Sequence, residues 1–349
     1  MDTPDAGARA DPQGAGGEFE LIARLTRGLE SRPDVVLGVG DDAALLDLGA
    51  PDLLVATCDA QVAGRHFMPG LSSPGEIGHK ALAVNLSDVA AMGGEPLWAL
   101  VSLLLPPGVD ATLLDDVYTG MRALARRFGV ALVGGNVAST DGPLAIDLTL
   151  LGRARRGAAL LRSGGRPGDP LLVTGELGAA AAGVLAFVTA PGLHGIPPDL
   201  LERAHRAMAA PEPRVAEGRA LAASGAVTAM LDISDGFAAD LAHLCERSGV
   251  GAMVDAARVP VSPVATAVAA ADGRDPLGLA LTGGEDYELL FSVAPDRVDV
   301  ALAAVQTAGG SAMVVGELTP PELGLRLREP DGSVRPLIPG GWDHLRKWP

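Results

Sequence analysis

Lys80-Ala81-Leu82-Ala83-Val84-Asn85-Leu86-Ser87-Asp88-Val89-Ala90-Ala91-Met92-Gly93 is the stretch that decides how this chain reads. It closes a helical pattern over residues 74–92 that is apolar on most sides and stops at Gly93-Gly94. A helix apolar all round is a buried helix. Asp88 sits inside it, and an unpaired charge in such surroundings is expensive. A metal ion or an ion pair has to compensate it.

Four further acidic segments lie outward from this helix, each at the edge of an apolar run: Gly40-Asp41-Asp42, Thr57-Cys58-Asp59, Asp232-Ile233-Ser234-Asp235 and Gly283-Gly284-Glu285-Asp286. Carboxylates about 4 Å apart at an effective dielectric of about 20 repel by about 4 kcal/mol per pair. Divalent cations relieve that repulsion, and Mg²⁺ takes carboxylate oxygens while keeping positions open for water and phosphates. The five segments together therefore read as parts of one metal–phosphate site. Singly, each has a plainer reading. Asp232 or Asp235 suits the N-cap of a helix over 236–247. Cys58 suits a small buried hydrophobe. His66 is either a surface residue or, being close to Asp59, a ligand. Trp342 serves either the core or a stack on a flat ligand. The turns Gly134-Gly135-Asn136 and Gly175-Glu176-Leu177-Gly178 are ordinary tight turns or places where backbone N–H groups approach a phosphate. There is no Gly-x-x-x-x-Gly-Lys, so a P-loop is excluded, and Gly38-Val39-Gly40 lacks the third glycine of a dinucleotide fingerprint.

The 349 residues suffice for two domains, and 46 glycines and 27 prolines mark a turn-rich globular protein. A net charge of −16 argues against nucleic acid and anionic membranes as partners. Two cysteines, Cys58 and Cys245, make neither a disulfide framework nor a thiolate zinc site. No apolar run is long enough to span a membrane. Residues 1–17 are small, acidic and glycine-rich, unlike a signal peptide, and read as a disordered tail of a cytoplasmic protein. Apolar runs alternating with helical patterns predict α/β layers. Helices are expected over 18–30, 74–92, 111–128, 179–188, 215–223, 236–247 and 297–308. Strands are expected over 53–57, 97–105, 130–133, 144–150, 171–174, 227–233, 277–281, 287–293 and 312–317. The turn-rich passage 163–170 is the expected boundary between a domain over 18–162 and a second over 163–349.

Taken in order, these segments are similar to the thiamine-monophosphate kinase family. The resemblance rests on Gly38-Val39-Gly40-Asp41-Asp42-Ala43, on Thr57 to Phe67 with Asp59, Gly64 and His66, and on the stretch from Lys80 to Gly93. It continues through Asp232-Ile233-Ser234-Asp235-Gly236 and Gly283-Gly284-Glu285-Asp286-Tyr287-Glu288-Leu289, and spans about residues 18 to 344. It implies the aminoimidazole-ribonucleotide-synthetase-like superfamily: two α/β domains, the N-terminal one pairing in a homodimer. It implies transfer of the ATP γ-phosphate to thiamine monophosphate, with several Mg²⁺ ions. By matching positions, Asp42, Thr57, Cys58, Asp59, Asp88, Asp232 and Asp235 look like metal positions. Gly135, Asn136, Arg162 and Ser234 look like nucleotide positions. His66, Glu285 and Trp342 look like substrate positions, and no covalent nucleophile is expected.

Two departures stand out. Where the family often has Thr-Thr-Asp, this chain has Thr57-Cys58-Asp59, and a neutral thiol is a poor Mg²⁺ ligand, so only the Cys58 carbonyl suits the role. Where the family often carries Gly-Gly-Asp-Thr-Thr-Arg-Gly, this chain reads Gly134-Gly135-Asn136-Val137-Ala138-Ser139-Thr140-Asp141-Gly142. Asn136 then offers the metal a carbonyl oxygen in place of a carboxylate. Two alternatives stay open from the sequence: another ATP-using member of the superfamily with a different acceptor, and a nucleotide-binding relative without catalysis.

Overall fold

The structure, a computed structural model, describes residues 18–27 and 32–341. The expected tail, residues 1–17, and Trp342 lie outside the described residues. Helix α1 (Glu18–Leu25) opens the described chain. It is followed by β1 (Val35–Leu37), β2 (Ala44–Leu46), β3 (Asp52–Val62), α2 (Pro74–Ala91), β4 (Glu95–Leu105), α3 (Ala111–Phe128), β5 (Ala131–Ser139) and β6 (Ala145–Arg155). The six strands form one sheet in the order β1-β2-β3-β6-β4-β5. Its pairs are antiparallel except β4–β5. The longest ladder runs from Asp52 opposite Arg155 to Val62 opposite Ala145. Alternation along β3 decides what faces the helices. Thr57 turns towards α2, where it meets Asp88, so Cys58 turns to the other face, since successive strand side chains alternate.

Helix α2 starts where its local chemistry dictates. Ser73 caps it, Glu76 completes the capping box, and Pro74 occupies the first turn. It passes close to two other helices. A Cβ on Gly78 would lie 1.8 Å from the Val117 carbonyl oxygen of α3, and one on Gly218 would lie 2.1 Å from the Ala90 carbonyl oxygen. Gly218 belongs to α6, in the second half of the chain.

That second half runs β7 (Pro170–Thr174), α4 (Ala179–Val184), α5 (Pro198–Ala209), α6 (Val215–Ser224), β8 (Val227–Asp232), α7 (Phe237–Ser248) and β9 (Gly251–Asp255). It continues with α8 (Pro263–Asp272), α9 (Pro276–Thr282), β10 (Leu289–Val293), α10 (Val298–Thr307), β11 (Ala312–Thr319), β12 (Leu325–Arg328) and β13 (Val334–Pro336). Its seven strands order as β13-β12-β9-β11-β7-β10-β8. The β12–β9 pair is parallel and the others are antiparallel. The largest apolar core joins the two halves: Leu86 and Val89 of α2 and Leu148 of β6 belong to the same buried cluster as Met230 of β8 and Phe291 of β10. Helix α2 touches β3 and β6 on one side and β8 and α6 on the other, so the apolar-all-round pattern reflects burial between two layers.

Some elements differ from the sequence reading. Residues 277–281 are helix, not strand: Asp275 caps α9 by accepting from the Leu277 N–H, and Pro276 sits in its first turn. The expected helix 179–188 is α4 followed by a single π-helical turn, Leu185–Thr189. Strand β5 runs on through the glycine pair to Ser139, and α1 is described as helix only as far as Leu25. Helices α5 and α8 and strand β9 were not expected: α8 is mostly alanine and β9 is only five residues long, whereas α5 carries a readable signal, Leu200, Leu201, Ala204 and Met208 at helical spacing.

Candidate active site

A cavity of about 820 Å³ opens between the two halves. Asp42 enters it from the turn before β2, Thr57 and Asp59 from β3, Asp88 from α2, Asp232 from the end of β8, and Ser234 and Asp235 from the turn beyond. Asp42, Asp88 and Asp232 each offer a carboxylate oxygen within 4.8 Å of the others. Neutral donors brace the group: Thr57 Oγ1 donates to Asp88 Oδ2 at 2.5 Å, and Ser87 Oγ donates to Asp232 Oδ2 at 2.5 Å. The second bond crosses from α2 to β8, so it fixes the two halves against each other at the site.

The electrostatics follow from crowding. Burial, then the charges of Asp59, Asp232 and Asp42, pushes Asp88 well above the usual carboxylate range. Burial and the Asp42 charge push Asp232 up to about 8, against the Ser87 hydrogen bond that lowers it. Burial and Asp42 raise Asp41 to about 6. Arg162 stands over this wall. Its Nε and Nη2 donate to Asp42 Oδ1 at 3.1 and 2.5 Å, and its own N–H donates to Asp41. Burial works against the Arg162 charge, but Asp42 more than offsets it and the guanidinium is held above its ordinary pKa. The other oxygen of Asp42, Oδ2, is buried and has no hydrogen-bond partner among the described residues. Hard oxygen donors, close spacing, raised carboxylate pKa values and a buried oxygen without a described partner are what a divalent cation such as Mg²⁺ would satisfy, so the residues fit the metal.

The cavity's other walls are of two kinds. One is apolar, with Val184, Leu185, Met208 and Leu279 from α4, the π-turn, α5 and α9. The other is polar and carries His66 and Glu285. His66 Nδ1 accepts the Val62 N–H at 2.9 Å, which leaves the ring proton on Nε2 when the ring is neutral. Glu285 sits in a left-handed conformation, φ +68°, as does Tyr287, φ +51°. Strained backbone of this kind persists only when its surroundings over-determine it. Here Glu285 N–H donates to the Ser234 carbonyl at 2.7 Å and Tyr287 N–H to that of Ile233 at 2.8 Å.

Several sequence readings change. Neither Asp232 nor Asp235 caps α7. Asp240, one turn into the helix, accepts the N–H groups of Ser234, Asp235 and Gly236 instead. This frees Asp232 and Asp235 to line the cavity. Cys58 is exposed, not buried, and its thiol donates to Asp147 at 3.0 Å on the outer face of the sheet, where alternation puts it. Gly175-Glu176-Leu177-Gly178 receives a carboxylate of this chain: Asp286 accepts from Gly178 N–H at 2.7 Å, and burial raises Asp286 to about 7. Gly135 and Asn136 do not line the cavity; they lie exposed on β5. The glycine there has a packing reason, since a Cβ on Gly135 would fall 1.8 Å from the Val101 carbonyl oxygen of the neighbouring strand. The sequence reading missed Asp240 and Lys80. Lys80 alone carried a signal, a lysine in an apolar helix.

Two sheets joined by a buried helix, with carboxylates meeting between them, place the chain in a known class. It belongs to the AIR synthase related proteins, matching their N-terminal domain over residues 40–154 and their C-terminal domain over residues 166–327. Within that class it belongs to the thiamine-monophosphate kinase family, and it is an enzyme, a phosphotransferase. The Escherichia coli thiamine-monophosphate kinase is 38% identical over 335 residues, 94% of this chain and 98% of that protein. The Mycobacterium tuberculosis thiamine-monophosphate kinase is 39% identical over 275 residues, 78% and 80% of the two chains. A solved structure described as AaThiL complexed with AMPPCP and TMP has a TM-score of 0.82 at 30% identity, covering 97% of this chain and 100% of that one. None of the described helices is long and apolar enough to cross a membrane.

Proposed function

We propose that this chain transfers the γ-phosphoryl group of ATP to the phosphate of thiamine monophosphate, giving thiamine diphosphate and ADP, in the cytoplasm. The observation that carries the reading is the Asp42–Asp88–Asp232 group, drawn from both halves, on a cavity that also offers a cation, Arg162, and an apolar wall. The kinase relatives, and the related structure with AMPPCP, an ATP analogue, and TMP, support it. An acceptor phosphate oxygen forms the new bond to γ-phosphorus as the bond to the β-bridging oxygen breaks and ADP leaves in line. That oxygen is already ionised at neutral pH, so no strong general base and no enzyme nucleophile are required. Phosphoryl transfer depends mainly on positioning and charge stabilisation.

Asp42, Asp59, Asp88, Asp232 and Asp235, with the Thr57 hydroxyl and the Cys58 carbonyl, would hold Mg²⁺. When bound, the ions neutralise the phosphate oxygens and align them. Arg162 and Ser234 face the nucleotide; His66 and Glu285 face the acceptor, and Trp342 is assigned to the same substrate by its match to the family's motif alone. Gly135 and Asn136 would serve the nucleotide only if the outer sheet is covered. Trp98, Leu100 and Leu104 of β4 and Val133 and Val137 of β5 are all more than a third exposed. Such an apolar surface marks an interaction site, and a second copy of the chain is the occupant we infer. The division of the chain into domains at 163–170 is part of the same reading.

Purified protein with ATP, MgCl₂ and thiamine monophosphate should yield thiamine diphosphate by mass spectrometry, and excess chelator should stop it. Nucleotide binding without product would favour a relative that has lost catalysis. Turnover of another phosphorylated acceptor alone would favour a different branch. Light scattering should give twice the monomer mass, and Leu104→Glu should halve it.

A further inference from the structure

Lys80 is the largest fully buried side chain among the described residues, 2% exposed. It sits two helical turns before Asp88 on α2, among Ala81, Leu82, Ala83 and Val84. Its ammonium makes two contacts: Glu285 Oε1 at 2.7 Å and the His66 carbonyl oxygen at 2.8 Å. The three residues come from three separate places: α2, the β3–α2 loop, and the strained segment between α9 and β10 in the second half of the chain. The backbone of that segment is pinned from below by the bonds to Ser234 and Ile233. Those bonds fix where Glu285 starts but not where its side chain points. Lys80 supplies the missing constraint, because a buried ammonium has no water to replace its carboxylate partner.

Charge gives the contact a second consequence. Glu285 lines the same cavity as Asp42, Asp59, Asp88, Asp232 and Asp235. Unpaired, it would add one more negative charge to a wall that must admit an anionic phosphate. Paired with Lys80 it leaves that wall no more negative and keeps its hydrogen-bonding oxygens in place.

We propose that Lys80 is a positioning residue for the phosphorylated acceptor: from inside α2 it holds the Glu285 carboxylate and the His66 main chain at a fixed separation across the two halves. This rests on the reading above that His66 and Glu285 face the acceptor. The test compares wild type, Lys80→Met, Lys80→Arg and Glu285→Gln in steady-state kinetics with thiamine monophosphate and Mg-ATP varied separately, each with a melting curve. Lys80→Met should raise the KM for thiamine monophosphate at least tenfold and leave the KM for ATP within twofold. Lys80→Arg, which keeps the charge, should recover part of the loss, and Glu285→Gln should show the same selective rise. Both KM values climbing together with a lowered melting temperature, or neither moving, overturns the proposal. Should Lys80→Met fail to fold, Glu285→Gln decides by the same criteria. Amide hydrogen exchange separates the two readings. Wild type inactive on thiamine monophosphate defeats the functional reading. The clamp then stands if exchange at Glu285 and Tyr287 is at least tenfold faster in Lys80→Arg or Glu285→Gln, and falls if it is unchanged.

Discussion

At the residue scale, Asp88 is the sharpest case of a side chain whose cost in the fold is set by its role. It shares a site under 4.8 Å across with Asp42 and Asp232, where each ionised pair repels by about 3 kcal/mol at an effective dielectric of about 20. Burial and those neighbours raise its pKa, so it escapes part of that repulsion by holding its proton. Asp88→Asn keeps an oxygen to accept from Thr57 and removes the charge. We expect the metal-free variant to be more stable than wild type by about 1 kcal/mol, with no stabilisation on adding Mg²⁺ and turnover lowered at least a hundredfold. Melting curves with and without MgCl₂, beside an activity assay, check all three. A variant still stabilised by Mg²⁺ would remove Asp88 from the metal site.

At the element scale, the position of α2 is set by glycine. The Gly78 Cβ position lies 1.8 Å from the Val117 carbonyl, and that of Gly120 on α3 lies 1.9 Å from the Gly75 carbonyl. Gly78→Ala gains about 1 kcal/mol of helix propensity but forces the helices apart. Because the atoms met are backbone, the cost falls at the upper end of the ~1–3 kcal/mol typical of overpacking, so a net loss of about 2 kcal/mol is expected from chemical denaturation. Gly278, inside α9, has no described atom within 4 Å of its Cβ position, so Gly278→Ala should stabilise by up to about 1 kcal/mol. If the two alanines act alike, close approach does not govern α2. The strand-to-helix correction at 277–281 belongs to this scale too. A five-residue run of four apolar residues and one glycine is read either way by pattern alone, and the Asp275-Pro276 start settles it.

For the whole molecule, the buried acids predict how stability depends on pH. Asp232 and Asp286 have folded values near 8 and 7, above about 3.9 for an unfolded aspartate. Between those limits the folded state keeps a proton that the unfolded state has lost, so stability falls as pH rises towards the folded values. The metal-free protein should therefore melt at a lower temperature at pH 8 than at pH 6.5. The slope should approach 1 kcal/mol per pH unit, since a full proton difference is worth about 1.4. Below about pH 6.5 the histidines oppose this trend without reversing it: burial lowers His79 and His243, so the unfolded state takes up protons there that the folded state refuses, and the gain in stability on acidification shrinks. Mg²⁺ should flatten the upper limb, since bound metal displaces the protons of its carboxylates. Scanning calorimetry at five pH values, with and without MgCl₂, gives both limbs. A metal-free Tm rising from pH 6.5 to 8 would contradict the assignment.

The sequence by itself determined much of this. Apolar runs alternating with helical patterns were enough to predict α/β layers, and the apolar-all-round helix with a carboxylate inside it, with the acidic segments at the edges of apolar runs, pointed to one cleft, in which Asp42, Asp88 and Asp232 do meet. The ordered motifs named the family. Local chemistry also fixed the start of α2, because Ser73, Pro74 and Glu76 act on their own turn. The tertiary structure decided what depends on residues far apart in the chain. It put Asp88 beside Asp232 through the bond of its neighbour Ser87 to Asp232, two residues 145 apart in sequence. It gave α7 its anchor in Asp240 rather than in the two aspartates before it, and turned Cys58 outward through strand alternation. It placed Asn136 on an exposed strand away from the cavity and paired Lys80 with Glu285. Pattern reports which side chains are apolar or charged within one element. Which charge meets which is fixed only when two layers close on the same helix.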